Sequence, residues 1–380
     1  LKQARRYIPE INLLRAMAIL AVVMIHSTSN ALVQLQTASS YYGAYVFLHE
    51  FAVFAVPVFI FISGFILTYN YVGKPVNGSA VLTFYRKRIW SAVLPYALFS
   101  MLYFMMKYKS APLSDSASKF ANQLLTGQAH GHLYFMFVII QYYILFPILL
   151  LALKSGWVRR HIWWIGIALQ WAHYYWNREY LVHLDGLPSV LHRTGSLFIS
   201  YFGIFAVGMW IAVHFERILA WFAARPAVRR AASAFACLLW VASGLYYVYL
   251  RYQGLVHKDW ADGQAFAYTQ FVFNIMSAIA LFLISNWIMR RPSSLATRLL
   301  GNIGICSFGI YFIHPAVLYV YRKLPVPGNG MLFHVYYACE FLAALLVAWG
   351  VTWAIQRSFQ WSWILFGTSS VPKKKAAISQ

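Results

Sequence analysis

The sequence predicts an all-α, polytopic integral membrane protein of about ten transmembrane helices, with both termini cytoplasmic. Three observations predict it. The 380 residues are 61% hydrophobic and only 11% charged, whereas a soluble domain carries about a quarter charged residues. Apolar runs of the ~20 residues needed to cross a bilayer recur along the chain. The basic residues lie between those runs, concentrated in alternate loops.

The spans fall near 11–33, 45–70, 89–107, 133–153, 161–178, 195–214, 232–250, 266–288, 302–321 and 334–356. The first is long enough to span, and no small-residue cleavage site ends it, so it is read as a helix and not as a signal peptide. The third follows the basic stretch "FYRKR". The fifth is interrupted by Gln170, His173 and Asn177 and is the least apolar. The sixth and ninth carry Gly203, Gly208, Gly304 and Gly309, small residues that let helices approach closely.

With the N-terminus inside, the inner segments hold 20 Lys and Arg and the outer loops nine, while Arg15 falls within a span and Arg357 at the edge of the tenth. The alternation runs through every loop pair, and the positive-inside rule then places both ends in the cytoplasm and the 108–132 and 177–194 loops outside; the expected location is the inner (cytoplasmic) membrane. The net charge of +22 is thereby assigned to topology, and a nucleic-acid partner is not expected. Residues 1–367 are expected to form one transmembrane domain. The tail 368–380, with "PKKKAAISQ", is expected to be irregular and to touch anionic headgroups. Cys237, Cys306 and Cys339 are isolated; neither a metal site nor a disulfide framework is indicated.

Ionisable residues inside a membrane are functional candidates, and the first span carries two, Arg15 and His26. Eleven residues at ~100° each bring both to one helix face, ~16 Å apart along the axis. Arg15 lies near the cytoplasmic end and His26 in the outer half. Either residue alone has a plainer reading: an arginine snorkelling to the headgroups, or a histidine satisfied in the core. Sharing one face, they line a polar interior.

By depth, Glu50, His314 and Glu340 fall in the outer half with His26, and His132 starts the fourth span from outside. Such a cluster offers a general base, an orienting carboxylate and a proton relay. In the inner half, Ser63 comes late in the second span, and Arg86, Lys87 and Arg88 reach the entrance of the third. With Arg15 they form a cationic mouth suited to phosphate oxygens, although the positive-inside rule alone also accounts for the loop residues. The two halves suggest a phosphate-bearing donor docking inside and a histidine acting on an acceptor arriving from outside.

Arg15, ten residues and then His26, followed in order by "VFIFISGFIL", "FYRKRIWSAVLPY", "HLYFMFVIIQYYILFPIL" and "SFGIYFIHPAV", resemble the acyltransferase-3 family of bacterial integral-membrane O-acyltransferases over essentially the whole chain. The variant is similar to members associated with exopolysaccharide or surface-polymer modification. Two positions depart from many members: Ile139 and Ile140 stand where a Glu pair precedes the glutamine matching Gln141, and Ser91 stands where an arginine is common. The resemblance implies transfer of an acetyl or succinyl group from cytoplasmic acyl-CoA, a co-substrate and not a bound cofactor, to a hydroxyl of an extracytoplasmic glycan. In that reading His26 is the general base, with Glu50 or His314 setting its tautomer. Arg15, Arg86, Arg88 and Ser63 attend the donor. His132, Tyr134, Tyr311 and Glu340 attend the acceptor.

Two other readings stand beside it. A polysaccharide or lipid-linked-sugar transporter also needs polar residues on one helix face. The outer-half aromatics Tyr41, Tyr42, Tyr134, Trp171, Tyr174, Tyr175 and Trp176 would stack sugars in either case, or form an interfacial belt. A structural partner in a polymer-synthesis or export complex requires no chemistry at these residues.

Overall fold

A computed structural model of the chain describes residues 7–108, 113–184, 186, 191, 193–328 and 330–367. The tail expected over 368–380 lies outside the described residues, as do parts of the 108–132 and 177–194 loops. The regular structure described is helical throughout. In chain order the helices are α1 (Glu10–Gln34), α2 (Tyr42–Glu50), α3 (Ala55–Tyr71), α4 (Gly78–Arg88), α5 (Leu94–Lys107), α6 (Leu113–Thr126), α7 (Tyr134–Ala152), α8 (Gly156–Glu179), α9 (Phe202–Ala223), α10 (Pro226–Tyr252), α11 (Gly263–Ile288), α12 (Leu295–Tyr321) and α13 (Gly330–Ser358).

Among the described residues, nine helical stretches are long and apolar enough to cross a membrane. They match nine of the ten expected spans. The exception is the fifth, which forms α8, a helix of 24 residues. Its length suffices for a crossing, but Arg159, Arg160 and His161 at one end and Gln170, His173 and Asn177 along it leave it too polar. One of these polar groups is spent inside the protein: the Gln170 side-chain oxygen accepts the backbone N–H of Gly203 at 2.9 Å, a first-turn amide of α9 with no helical partner of its own. The Trp210 indole donates to the Arg160 carbonyl at 3.1 Å. Rising sequence number on α8 thus meets falling number on α9, so the two helices run antiparallel side by side.

The third span starts earlier than the sequence suggested. "FYRKR" is not a loop but the last turns of α4, which begins where the Asn77 side chain accepts the Ala80 N–H. A π-helical turn, Ile89–Val93, joins α4 to α5, making one stretch, Gly78–Lys107. Pro95 explains the wide turn: it has no N–H to return to the Ser91 carbonyl, and the ladder skips a residue just before it.

The chain divides into two compact units. Of the described residues, one comprises those of 7–59 and 222–362; the other comprises those of 60–221 and 363–367. In the first, α12 lies against α1 and α13. A Cβ at Gly304 would collide with the Asn12 carbonyl, and one at Gly309 with Thr352. In the second, Gly64 and Gly208 do the same reciprocal service for α3 and α9, each bare Cα facing the other helix's backbone. Close approach of this kind substitutes van der Waals contact for the hydrophobic drive that lipid does not supply.

Candidate active site

The close seating of α1 on α12 brings His26 and His314 together. Their ring centroids are 5.2 Å apart and tilted by 44°, a ring-to-ring contact. His314 is fully buried, and its Nδ1 lies 2.9 Å from the Ile310 carbonyl. A carbonyl only accepts, so Nδ1 carries the hydrogen, and in the neutral ring Nε2 holds the lone pair. Pro315 follows within the same helix and cannot bond the Tyr311 carbonyl, which places a helix irregularity beside the pair. Tyr311, one turn before His314, is buried against Phe312 with centroids 5.0 Å apart.

Arg322, just past the end of α12, ties this region together. Its Nε donates to Glu340 Oε1 at 2.7 Å, and its Nη2 donates to the backbone carbonyl of His26. The same carbonyl accepts the Ser29 hydroxyl at 2.8 Å. Glu340 is fully buried, and a carboxylate in that position requires a partner of this kind. One turn beyond His26 on α1, Asn30 donates to the Tyr337 hydroxyl at 3.1 Å. His49 Nδ1 meets the Thr28 hydroxyl at 3.1 Å; that hydroxyl gives its hydrogen to the Met24 carbonyl, so His49 is the donor.

Glu50 has other company. Its carboxylate accepts Arg251 Nε at 2.9 Å and the Tyr247 hydroxyl at 3.4 Å, joining α2 to α10. Arg15 is half-buried on α1. That helix is unbroken from Glu10 to Gln34, so the shared face of Arg15 and His26 holds.

The remaining candidates belong to the second unit. His132 is 3% exposed and its Nδ1 lies 2.8 Å from that of His130. One nitrogen must donate and the other accept, so the pair cannot be doubly cationic. Burial and the nearby Lys107 ammonium both push the His130 pKa down, which favours the neutral arrangement. Tyr103 packs on both rings, at 4.6 and 5.1 Å. The Tyr201 hydroxyl donates to the Gly195 carbonyl at 3.1 Å, and Tyr134 opens α7. Ser63 is half-buried beside Gly64 on α3. Arg86 is exposed, whereas the Arg88 guanidinium lies over Phe84 and Tyr143 at 5.2 and 4.9 Å. Gln141 serves the backbone: its amide donates to Ser196 O at 2.8 Å and its oxygen accepts Phe198 N–H at 3.1 Å. Among the described residues, no three His, Cys, Asp or Glu side chains come together as a metal site.

Sequence reasoning missed Arg322 and Arg251, both counted only as outer-loop charge. A signal existed. Each stands at the end of a span that the loop charges assign to the outside, where the positive-inside rule gives no reason for an arginine, and the same assignment puts Glu50 and Glu340 in the outer half.

Comparison with known proteins agrees with the architecture. Residues 8–353 match the model of the acyltransferase-3 family, described as an acyltransferase domain. Similar proteins include two from Staphylococcus aureus, of strains MSSA476 and MRSA252, each named a probable poly-beta-1,6-N-acetyl-D-glucosamine export protein. They are 24% and 23% identical over 279 residues, covering 72% of this chain and 71% of theirs. No solved structure matches. With nearly the whole chain matched and its long apolar helices in place, this protein belongs to the acyltransferase-3 family of bacterial membrane proteins and is classed as an acyltransferase.

Proposed function

We propose that this protein is an inner-membrane O-acyltransferase moving an acetyl or succinyl group from cytoplasmic acyl-CoA to a hydroxyl of an extracytoplasmic glycan or surface polymer. The proposal rests on the His26–His314 pair, held on closely packed helices with Arg15 on the His26 face of α1. In this mechanism His26 takes the proton of the acceptor hydroxyl as its oxygen bonds to the thioester carbonyl carbon. The C–S bond breaks, and the departing CoA sulfur takes the proton back from the imidazolium. Glu50 already shares its charge with Arg251 and Tyr247, so the part of setting the His26 ring goes to His314, whose ring lies against it. The resemblance to the family's motifs assigns Arg15, Arg86, Arg88 and Ser63 to the donor and His132, Tyr134, Tyr311 and Glu340 to the acceptor.

Reconstituted protein supplied with labelled acetyl-CoA or succinyl-CoA on the cytoplasmic side and a glycan on the other should yield labelled ester. In that assay Arg15→Ala should weaken donor binding by about tenfold or more, since a charge-assisted hydrogen bond contributes roughly 1.5–3 kcal/mol. Arg15→Lys should recover part of it, keeping the charge but losing the fork. Unchanged donor affinity in Arg15→Ala returns that residue to snorkelling. The names of the S. aureus relatives favour a second reading, export of a polysaccharide. In that case polymer crosses the vesicle membrane and acyl-CoA is not consumed.

The reading also requires a topology. Both ends are cytoplasmic only if α8 crosses, giving an even count. Its antiparallel run along α9, with Gln170 satisfied internally, supports a crossing despite its composition. In a cysteine-free background, Ser155→Cys and Glu179→Cys at the two ends of α8 should label from opposite sides, Glu179→Cys from outside. Labelling of both from one side would leave nine crossings and put the termini on opposite faces.

A further inference from the structure

We infer that a cleft in the second unit is a binding site for an anionic phospholipid, which takes Lys87 out of the cationic mouth expected for the donor. The cleft encloses about 300 Å³ between the turn after α3, the start of α4 and the end of α7. Phe84, Phe146, Pro147 and Leu150 give it an apolar wall, and Lys74 and Lys87 also line it. The Lys74 ammonium is held 4.8 Å over the Tyr71 ring.

Its depth follows from the chain. The Tyr42–Tyr71 stretch ends here, Gly78–Lys107 begins here, and Tyr134–Ala152 ends a turn beyond Pro147. Three span ends frame the cleft, so it lies at the level of one leaflet's headgroups, with its apolar wall reaching toward the acyl chains. It also borders the lipid-facing surface. On α7, Ile144 and Ile148 flank Phe146 and Pro147 and are 58% and 63% exposed; on α4, Leu82 is 71% exposed. Large apolar side chains this open on a membrane helix face acyl chains, so an occupant can enter sideways from the bilayer.

Charge and shape select the occupant. Two ammonium groups above an aromatic and aliphatic wall complement a phosphate joined to an acyl chain. A phospholipid supplies both from within the membrane. Acyl-CoA shares the phosphate chemistry but arrives from water with several phosphates and an adenosine. The cleft offers two point charges and no guanidinium fork, for neither Arg86 nor Arg88 lines it. Lysines at a membrane surface attract anionic lipid individually; the cleft adds a defined place for the chain.

The test uses full-length protein in nanodiscs of phosphatidylcholine with phosphatidylglycerol as the probe, read by native mass spectrometry for retained lipid. Wild type should retain phosphatidylglycerol. The Lys74→Gln/Lys87→Gln variant should retain about tenfold less or lower still, while Lys107→Gln, which removes a charge at the far end of the Gly78–Lys107 stretch, should match wild type. Leu150→Trp keeps both lysines and fills the wall; it should also lose the lipid. Retention in the double lysine variant, or in Leu150→Trp, overturns the proposal. So does stoichiometric displacement of the lipid by acetyl-CoA, which would make the cleft part of a donor site. The lysines are exposed, so folding of the double variant, checked by circular dichroism, is expected to be unaffected.

Discussion

His26→Gln should abolish glycan acylation while the protein still folds and still binds acyl-CoA. A sugar hydroxyl is a poor nucleophile near neutral pH, and a positioned base typically contributes 10²–10⁴-fold. Imidazole has the unperturbed pKa nearest that pH. Glutamine keeps a hydrogen bond in the same place but cannot take the proton. Folding should survive because Arg322 holds this residue through its backbone carbonyl and not through the ring. Alanine should be equally inactive. His314→Gln should fall less far, because His314 acts on His26 and not on the acceptor; a shifted pH–rate profile would distinguish this from a packing defect. Substantial ester formation by a folded His26→Gln protein would remove the general base from the mechanism and favour export, for which a hydrogen bond is enough.

The fold was legible where composition decides it and illegible where two helices must be known together. Nine spans could be read because lipid demands long apolar runs whatever they pack against. The fifth was ambiguous because Gln170 looks costly in lipid until Gly203 on α9 is seen to use it. The start of the third was misplaced because "FYRKR" reads as a polar loop, although Asn77 caps a helix through it. In the site, the Arg15–His26 relation needed only the helical repeat, which is why sequence alone found it. The approach of His314 to His26 was expected from depth, but the glycine that allows it, Gly304 against the Asn12 backbone, shows its purpose only once α1 lies on α12. The outer arginines were the largest omission. Each was counted as a topological charge, and its carboxylate partner sits on a different helix, Glu50 on α2 and Glu340 on α13.

Removing Arg322 should be more damaging than removing the whole pair. Arg322→Ala leaves Glu340, fully buried on α13, as a carboxylate without its cation. Breaking a buried pair from one side costs about 3–5 kcal/mol, whereas replacing both partners with neutral groups is often close to neutral. Arg322 is 32% exposed, so the lower end of that range is expected. The Arg322→Ala/Glu340→Gln double variant should therefore recover most of the thermal stability lost by Arg322→Ala, measured by unfolding in detergent. Activity should not recover in parallel. The double variant restores charge balance but not the donor to the His26 carbonyl, so α1 loses its tie to the end of α12 at the level of the proposed base. Arg322→Lys makes the same separation from the other direction: one ammonium can balance Glu340, yet it cannot span both Glu340 and His26 as the guanidinium fork does. Stability near wild type with acylation reduced is the expected result. Full activity in either variant would leave the pair a purely structural clamp; a double variant no more stable than Arg322→Ala would mean that the arginine stabilises through its contact with α1 and not by neutralising Glu340.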